Sequence, residues 1–272
     1  MEGRVLIVAG SDSSGGAGIQ ADIKTVTALG GYAATAVTAV TAQDTHDVHA
    51  IHCIPVDIVT KQMEVVLSDI GADCIKTGML HSAAIIEAVG EIIAPLVSRI
   101  PIVVDPLMVA KGGRQLLKHS ALDTLKRVLL LDATVATPNV PEAEALTGMT
   151  IRDLDDMKHA AEMIHTLGPK AVLLKGGHLR GERSDVVHDI LHDENGFEVF
   201  ENPRLDTRHT HGTGCTLASA IAVSLAQGMS IRDSVVRARN YVLEAIRSAP
   251  QFGSGFGPIN HGHPLKTSAK AK

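Results

Sequence analysis

The sequence predicts an α/β protein built on one doubly wound, mostly parallel sheet with helices on both faces, and three observations predict it. Short apolar runs rich in Val, Ile and Ala alternate with helix-length amphipathic segments from Arg4 to Lys175. Hydrophobic residues make up 45% of the 272, yet aromatics make up 2% and Trp is absent, so the interior is assembled from Ala, Val, Ile, Leu and Met, as suits strands covered on both faces. The alternation breaks once, where apolar residues 185–191 and 197–200 flank Asp193-Glu-Asn-Gly196. That pattern predicts a small antiparallel hairpin at the sheet edge.

The elements follow in order. Residues 4–9 read as a strand, 10–18 as a glycine loop and 19–29 as a helix with apolar spacing of three and four. Residues 32–42 are a β-branched strand ending at Gln43-Asp44, 56–68 a helix and 74–77 a short strand before Gly78-Met79. Next come helix 82–94, strand 101–105, helix 120–129, strand 133–137, helices 141–146 and 154–167, and strand 171–175. After the hairpin, two long helices are expected at 213–227 and 231–248. No repeat or linker divides the chain, so residues 1–250 are expected to form one domain. Residues 251–272 lose periodicity, become rich in Gly, Pro and Lys, and predict a flexible C-terminal tail.

Charge and composition narrow the function. A formal charge of -5 with Lys and Arg scattered among acids provides no stripe for nucleic acid. No apolar run is long enough to span a bilayer, and the N-terminus lacks a signal-peptide core, so a cytoplasmic location is expected. Cys53, Cys74 and Cys215 are an odd number at wide spacing, which suggests neither a disulfide framework nor a metal knuckle.

In an open parallel sheet, ligands bind beyond the carboxyl ends of the strands. At those ends stand Gly10-Ser-Asp12, Gln43-Asp44, Lys76-Thr-Gly78-Met79, Asp105 followed by Lys111-Gly-Gly113, Thr137-Pro-Asn139-Val-Pro-Glu142, and Lys175-Gly-Gly-His178. Asp105, Glu142 and Asn139 are oxygen ligands of the kind Mg²⁺ takes, and Lys111 and Lys175 add compact positive charge. Asn139, with Pro141 and Glu142 behind it, is also a good helix N-terminus in its own right. Gly15-Gly16-Ala-Gly18 has neither the G-x-G-x-x-G spacing nor the following acid of a dinucleotide site. A tight turn around a substrate is the better reading. Finally, Thr210-His-Gly212-Thr213-Gly214-Cys215-Thr216 opens an apolar helix with bare amides at its positive end, a ready anion site with a cysteine at its mouth. A phosphate-handling helix start in a chain without a Walker motif points to phosphoryl transfer by another architecture.

Taken together, segments 9–24, 77–80, 105–111, 137–142, 175–178 and 210–216 resemble the ribokinase-like superfamily, and within it the hydroxymethylpyrimidine/phosphomethylpyrimidine kinases of thiamin biosynthesis. The resemblance implies a ribokinase-like fold, ATP as phosphoryl donor, Mg²⁺ as cofactor and a homodimer. It also implies phosphorylation of 4-amino-5-hydroxymethyl-2-methylpyrimidine to the monophosphate and then the diphosphate. On this reading Asp105 and Glu142 serve the metal; Asn139, Lys175 and Lys111 serve the ATP phosphates; and Gly10, Asp22, Met79 and Gln43 serve the substrate, Asp22 being equally readable as a helix residue satisfied by its neighbours. The amides of Gly212, Thr213 and Gly214 would hold the transferring group. Cys215 stands where the superfamily's sugar kinases have an Asp base.

Two of these residues carry their own chemical argument. The Gln43 carboxamide sets a donor beside an acceptor and can pair bidentately with a 4-aminopyrimidine edge. Cys215, at a helix N-terminus, is expected to have a lowered pKa and to accept the alcohol proton in the first step. A monophosphate acceptor is already ionised, so the second step needs no base. Three other readings stay open: a pyridoxine or pyridoxal kinase on the same scaffold, a thiol hydrolase using Cys215 with His211, and a noncatalytic pyrimidine sensor.

Overall fold

The computed structural model describes residues 1–109, 113, 116–117, 119–177, 179 and 185–267, with the side chains of 119, 266 and 267 left aside. Nine strands form one sheet: β1 (Arg4–Asp12), β2 (Tyr32–Gln43), β3 (Val48–Cys53), β4 (Cys74–Thr77), β5 (Ile102–Val104), β6 (Val135–Ala136), β7 (Ala171–Lys175), β8 (Val186–Asp193) and β9 (Gly196–Pro203). Their order is β3-β2-β1-β4-β5-β6-β7-β8-β9. The run from β2 to β7 is parallel, whereas β3 pairs antiparallel with β2, and β8 and β9 complete the other edge antiparallel. The expected hairpin is therefore present. Strand β3 departs from the expectation: only Val48 in it is buried, so its sequence shows little of the alternation that marks a half-buried strand.

Helices α1 (Gly18–Ala28), α2 (Val56–Asp69), α3 (Ala83–Ile93), α4 (Leu122–Thr124, running into a π-helical stretch Leu125–Leu130), α5 (Val140–Thr147), α6 (Leu154–His165), α7 (Thr213–Ala226), α8 (Ile231–Arg247) and the short α9 (His263–Thr267) complete the fold. Alternation along β1 shows how the layers are made. Val5 and Ile7 face a cluster with Ile221, Val223 and Val235 of α7 and α8, while Leu6 and Val8 face Val59, Ile86 and Ile164 of α2, α3 and α6. Each fully buried side chain of this size stabilises the fold by about 1.5–3 kcal/mol. No helix among the described residues is long and apolar enough to cross a membrane.

Switching of the chain direction occurs at β1, with β2 on one side and β4 on the other. This opens a crevice at their carboxyl ends. The segment beyond residue 250 corrects the expected flexible tail. Ile259 and His261 are buried, Asn260 N donates to Ala245 O, Tyr241 Oη donates to His261 O, and His261 Nε2 lies 3.0 Å from Thr216 Oγ1. Residues 251–262 lack periodicity because no helix or strand forms before the short α9; they are held by backbone partners from α8 and from the loop before α7. Residues 268–272 lie outside the described residues.

Candidate active site

A cavity of about 900 Å³ opens along the carboxyl ends of β1, β4, β5, β6 and β7, and the start of α7 forms one wall of it. Gly212 is the N-cap, in left-handed backbone at φ 84°, and no side chain caps the helix; its first turn contains no acid. A Cβ on Gly212 would overlap the Gly16 carbonyl oxygen, so only glycine fits this close approach. The helix start therefore borders the cavity as a positive end without a side-chain cap, with Thr213 N donating to Thr210 O at 3.4 Å. A Cβ placed on Gly214 would lie 3.4 Å from Lys175 Nζ and 3.9 Å from Asp105 Oδ2. The anion-binding turn and the charged strand ends are thus one site.

Lys175 Nζ is 3.2 Å from Asp105 Oδ1, which also accepts a hydrogen bond from Thr137 Oγ1 at 3.1 Å. Asp105 Oδ2 is buried and has no hydrogen-bond partner among the described residues. Burial lowers the Lys175 pKa, but Asp105 and Glu142 raise it more, so the ammonium stays charged. The Asn139–Glu142 element forms a full capping box on α5: Glu142 N donates to Asn139 Oδ1 at 2.9 Å and Asn139 N donates to Glu142 Oε2 at 2.8 Å. The structural role weighed for Asn139 is realised, and both residues still border the cavity. Burial, together with the nearby Asp105 charge, pushes the Glu142 carboxyl up to about 7 against the pull of Lys175. Two buried acids, one with an unpaired oxygen and one reluctant to ionise, call for added positive charge. Among the described residues no group of three His, Cys, Asp or Glu is placed to hold a metal by itself.

At the other end of the cavity stand Gly10, Met79 and Gln43. Lacking a side chain, Gly10 leaves room for Met79, whose Sδ would lie 3.2 Å from a Cβ there. His211 Nε2 lies 2.9 Å from Asp12 Oδ2 and 3.3 Å from Gln43 Nε2. Asp12 also accepts from Ser14 N and Ala17 N. Burial raises the Asp12 pKa, but His211, Ser14 and Ala17 together bring it below the usual carboxylate value, so Asp12 is ionised. An imidazole nitrogen facing a carboxylate at that distance carries its proton, so Nε2–H donates to Asp12, while Gln43 Oε1 accepts from Thr41 Oγ1 at 3.2 Å.

Asp22 requires a correction. It is fully buried behind the cavity wall, 2.9 Å from Lys76 Nζ, with Ser219 Oγ donating to its other oxygen at 2.6 Å. A lysine inside a buried strand demands a carboxylate, and Asp22 is spent on that demand. Cys215 requires another. Burial, with the charges of Asp22 and Asp105, pushes its thiol up to about 12, although Lys76 pulls the other way. The expected lowering at the helix N-terminus is outweighed by desolvation. Among the described residues no hydrogen bond joins Cys215 to His211, whose Nε2 pairs with Asp12, so the thiol-hydrolase reading has no base in contact with its nucleophile. Lys111 and His178 lie outside the described residues.

The chain matches the phosphomethylpyrimidine kinase family over residues 12–260. It belongs to that family. Relatives agree over nearly its whole length: the hydroxymethylpyrimidine/phosphomethylpyrimidine kinase of Streptomyces coelicolor is 48% identical over 261 residues, spanning 96% of this chain and 95% of that one. The thiamine biosynthesis bifunctional protein of Geobacter sulfurreducens is 51% identical over 259 residues, 95% of this chain, which spans about half (52%) of that longer protein. Among solved structures, the Staphylococcus aureus pyridoxal kinase in complex with pyridoxal superposes with a TM-score of 0.88 at 37% identity, covering 96% of this chain and 94% of that one. The family's fold is therefore this fold.

Proposed function

We propose that this chain uses ATP and Mg²⁺ to phosphorylate hydroxymethylpyrimidine to its monophosphate and then to the diphosphate. The observation that carries the reading is the joint placement, in one cavity, of the uncapped α7 turn, the Lys175–Asp105 pair and Gln43. Gln43 would read the amine and ring nitrogen of the pyrimidine while Gly10 and Met79 frame its ring. The amides of Gly212, Thr213 and Gly214 would hold the oxygens of the phosphoryl group in transfer, with Lys175 balancing charge as ADP leaves. In the first step the substrate hydroxyl would give its proton to the thiolate form of Cys215, the minor form of that buried group, as its oxygen bonds to phosphorus and the bond to ADP breaks.

The unpaired Asp105 Oδ2 and the raised Glu142 fit a divalent cation held by one or two carboxylates together with substrate phosphates. When bound, the ion supplies charge neutralisation at the phosphate oxygens.

The test is incubation with ATP and Mg²⁺ and each of hydroxymethylpyrimidine, its monophosphate and pyridoxine, with products identified by mass. Mono- and diphosphates from the pyrimidines are expected; a protein that phosphorylates pyridoxine alone belongs to the second reading, which the pyridoxal kinase neighbour favours. Gln43→Leu should raise KM for hydroxymethylpyrimidine about 10- to 100-fold, the loss of a bidentate pair worth about 1–3 kcal/mol. KM for pyridoxine, which has no exocyclic amine, should move far less.

A further inference from the structure

Phosphoryl transfer as described leaves the fully buried lysine of β4 without a task. Lys76 shares its face of the sheet with its register partners Ile7 on β1 and Val103 on β5, both buried in the apolar layer beneath α7. Stability does not account for a cation there, because a buried ion pair is often no better than apolar residues of similar volume. The geometry leads toward the cavity. A Cβ on Gly78, which lines the cavity, would lie 3.0 Å from Lys76 Nζ, so the ammonium reaches the carboxyl end of β4 just under the cavity floor.

The ion pair is also tied to the helix that carries the thiol. Asp22 Oδ2 lies 2.9 Å from Lys76 Nζ, and Asp22 Oδ1 accepts from Ser219 Oγ at 2.6 Å. Ser219 is four residues past Cys215 on α7, and Asp22 is four past Gly18 on α1, so each pair stacks one turn apart on its helix. One turn brings Gly18 N–H to the thiol, and the next brings Asp22 to Ser219 and Lys76.

Burial lowers the Lys76 pKa, but Asp22, Cys215 and Asp105 raise it more, so the ammonium stays charged. Burial is the largest influence on the thiol; among the charges Lys76 acts most strongly and favours the thiolate, while Asp22 and Asp105 oppose it. Lys175, at the end of β7, also feels the sulfur. The other ionisable groups packed around α7 are engaged elsewhere. Asp12 of β1 is paired with His211, and on α8 Arg239 is paired with Asp189 while Arg237 donates to Ser224 Oγ toward the far end of α7. His261, beside Thr216, is pushed down to about 4 by burial and stays neutral.

We propose that Lys76 is a positioning residue for the first phosphorylation, its ammonium holding negative charge on the Cys215 sulfur until the substrate hydroxyl delivers a proton. The inference rests on the reading of Cys215 as the proton acceptor. Lys76 is wholly enclosed, so it acts through the thiol and not by touching the substrate. As the hydroxyl oxygen bonds to the γ-phosphorus and the bond to ADP breaks, the proton passes to the sulfur and neutralises the charge that Lys76 held there. A monophosphate acceptor brings no such proton, so the second phosphorylation should depend far less on Lys76.

A mutant cycle tests this. Lys76→Met/Asp22→Asn removes both charges together and keeps an acceptor for Ser219, which avoids stranding a carboxylate; thermal unfolding checks that the protein stays folded. kcat/KM is measured for hydroxymethylpyrimidine and for its monophosphate in this variant, in Cys215→Ala and in the two combined. With Cys215 present, the ratio of the first rate to the second should fall about tenfold across pH 7 to 9 while keeping its climb with pH; with Cys215→Ala it should move no further. A ratio unmoved in the presence of Cys215 overturns the proposal. So does an equal fall in both backgrounds, which marks the pair as structural. Where the paired substitution does not fold, Lys76→Arg decides: it keeps the charge and should hold the ratio within about threefold of the wild type, and a ratio as low as that of Cys215→Ala overturns the proposal. A Cys215→Ala protein whose own ratio matches the wild type is a different result, because it removes the proton-acceptor reading and this proposal with it.

Discussion

Lys175→Met should lower kcat for both phosphorylation steps by about 10²- to 10³-fold, the scale of losing one transition-state donor, and should also destabilise the fold by about 3–5 kcal/mol. The two effects have one cause. Lys175 is the cation beside the buried acids Asp105 and Glu142, with its ammonium 3.2 Å from Asp105 Oδ1. Removing it strands both carboxylates in a dry site. Glu142, already pushed up to about 7, should then rise further. The sign matters for stability: an acid whose folded pKa lies above its unfolded value binds more protons in the native state, so its ionisation weakens the fold as pH climbs from about 4.5 through 7. Urea unfolding at pH 5.5 and pH 8 should therefore show a larger loss for Lys175→Met at pH 8. The double variant Lys175→Met/Asp105→Asn separates structure from catalysis. Most of the stability should return, since the stranded charge is gone, while kcat stays low. A Lys175→Met enzyme with wild-type kcat would remove the residue from the catalytic description.

The residues legible in the sequence were those whose position the parallel topology dictates. Asp105, Asn139 and Lys175 follow successive strands, and Gly212 to Cys215 open a helix, so chain order alone sends them to the same edge. What escaped depended on partners distant in sequence. Asp12 and His211 are 199 residues apart, and neither residue type implies the other. Asp22 sits on an amphipathic helix, where spacing does not distinguish a carboxylate facing a ligand from one facing a buried ammonium. A signal existed nonetheless: Lys76 stands in the buried strand Cys74–Thr77, and a lysine there needs an acid nearby. The strap beyond residue 250 was hidden for another reason. Its glycines and Pro258 give no period, and the same composition that marks a loose terminus is what allows a chain to lie flush against Thr45 and His209.

Cys215→Ala should lower kcat/KM for hydroxymethylpyrimidine about 10²- to 10⁴-fold, the usual contribution of a positioned base, and should change the monophosphate reaction by less than about tenfold. The asymmetry comes from the acceptors. An alcohol must shed a proton as its oxygen attacks, whereas a phosphate monoester with a second pKa near 6 arrives as an anion. The thiol's environment adds a pH signature, because kcat/KM reports the free enzyme. With Cys215 pushed up to about 12 by burial, its thiolate fraction grows about tenfold per pH unit throughout the neutral range without levelling off. Titration of Glu142 near 7 affects both steps, so the ratio of the two rates cancels it. That ratio should climb steadily from pH 7 to 9 in the wild type and lie flat in Cys215→Ala. A plateau below pH 9 would mean that Lys76 and the helix amides overcome desolvation and that the thiol is acidic after all. An equal loss in both steps would assign Cys215 to the anion cradle instead of to proton transfer, since the cradle serves either acceptor.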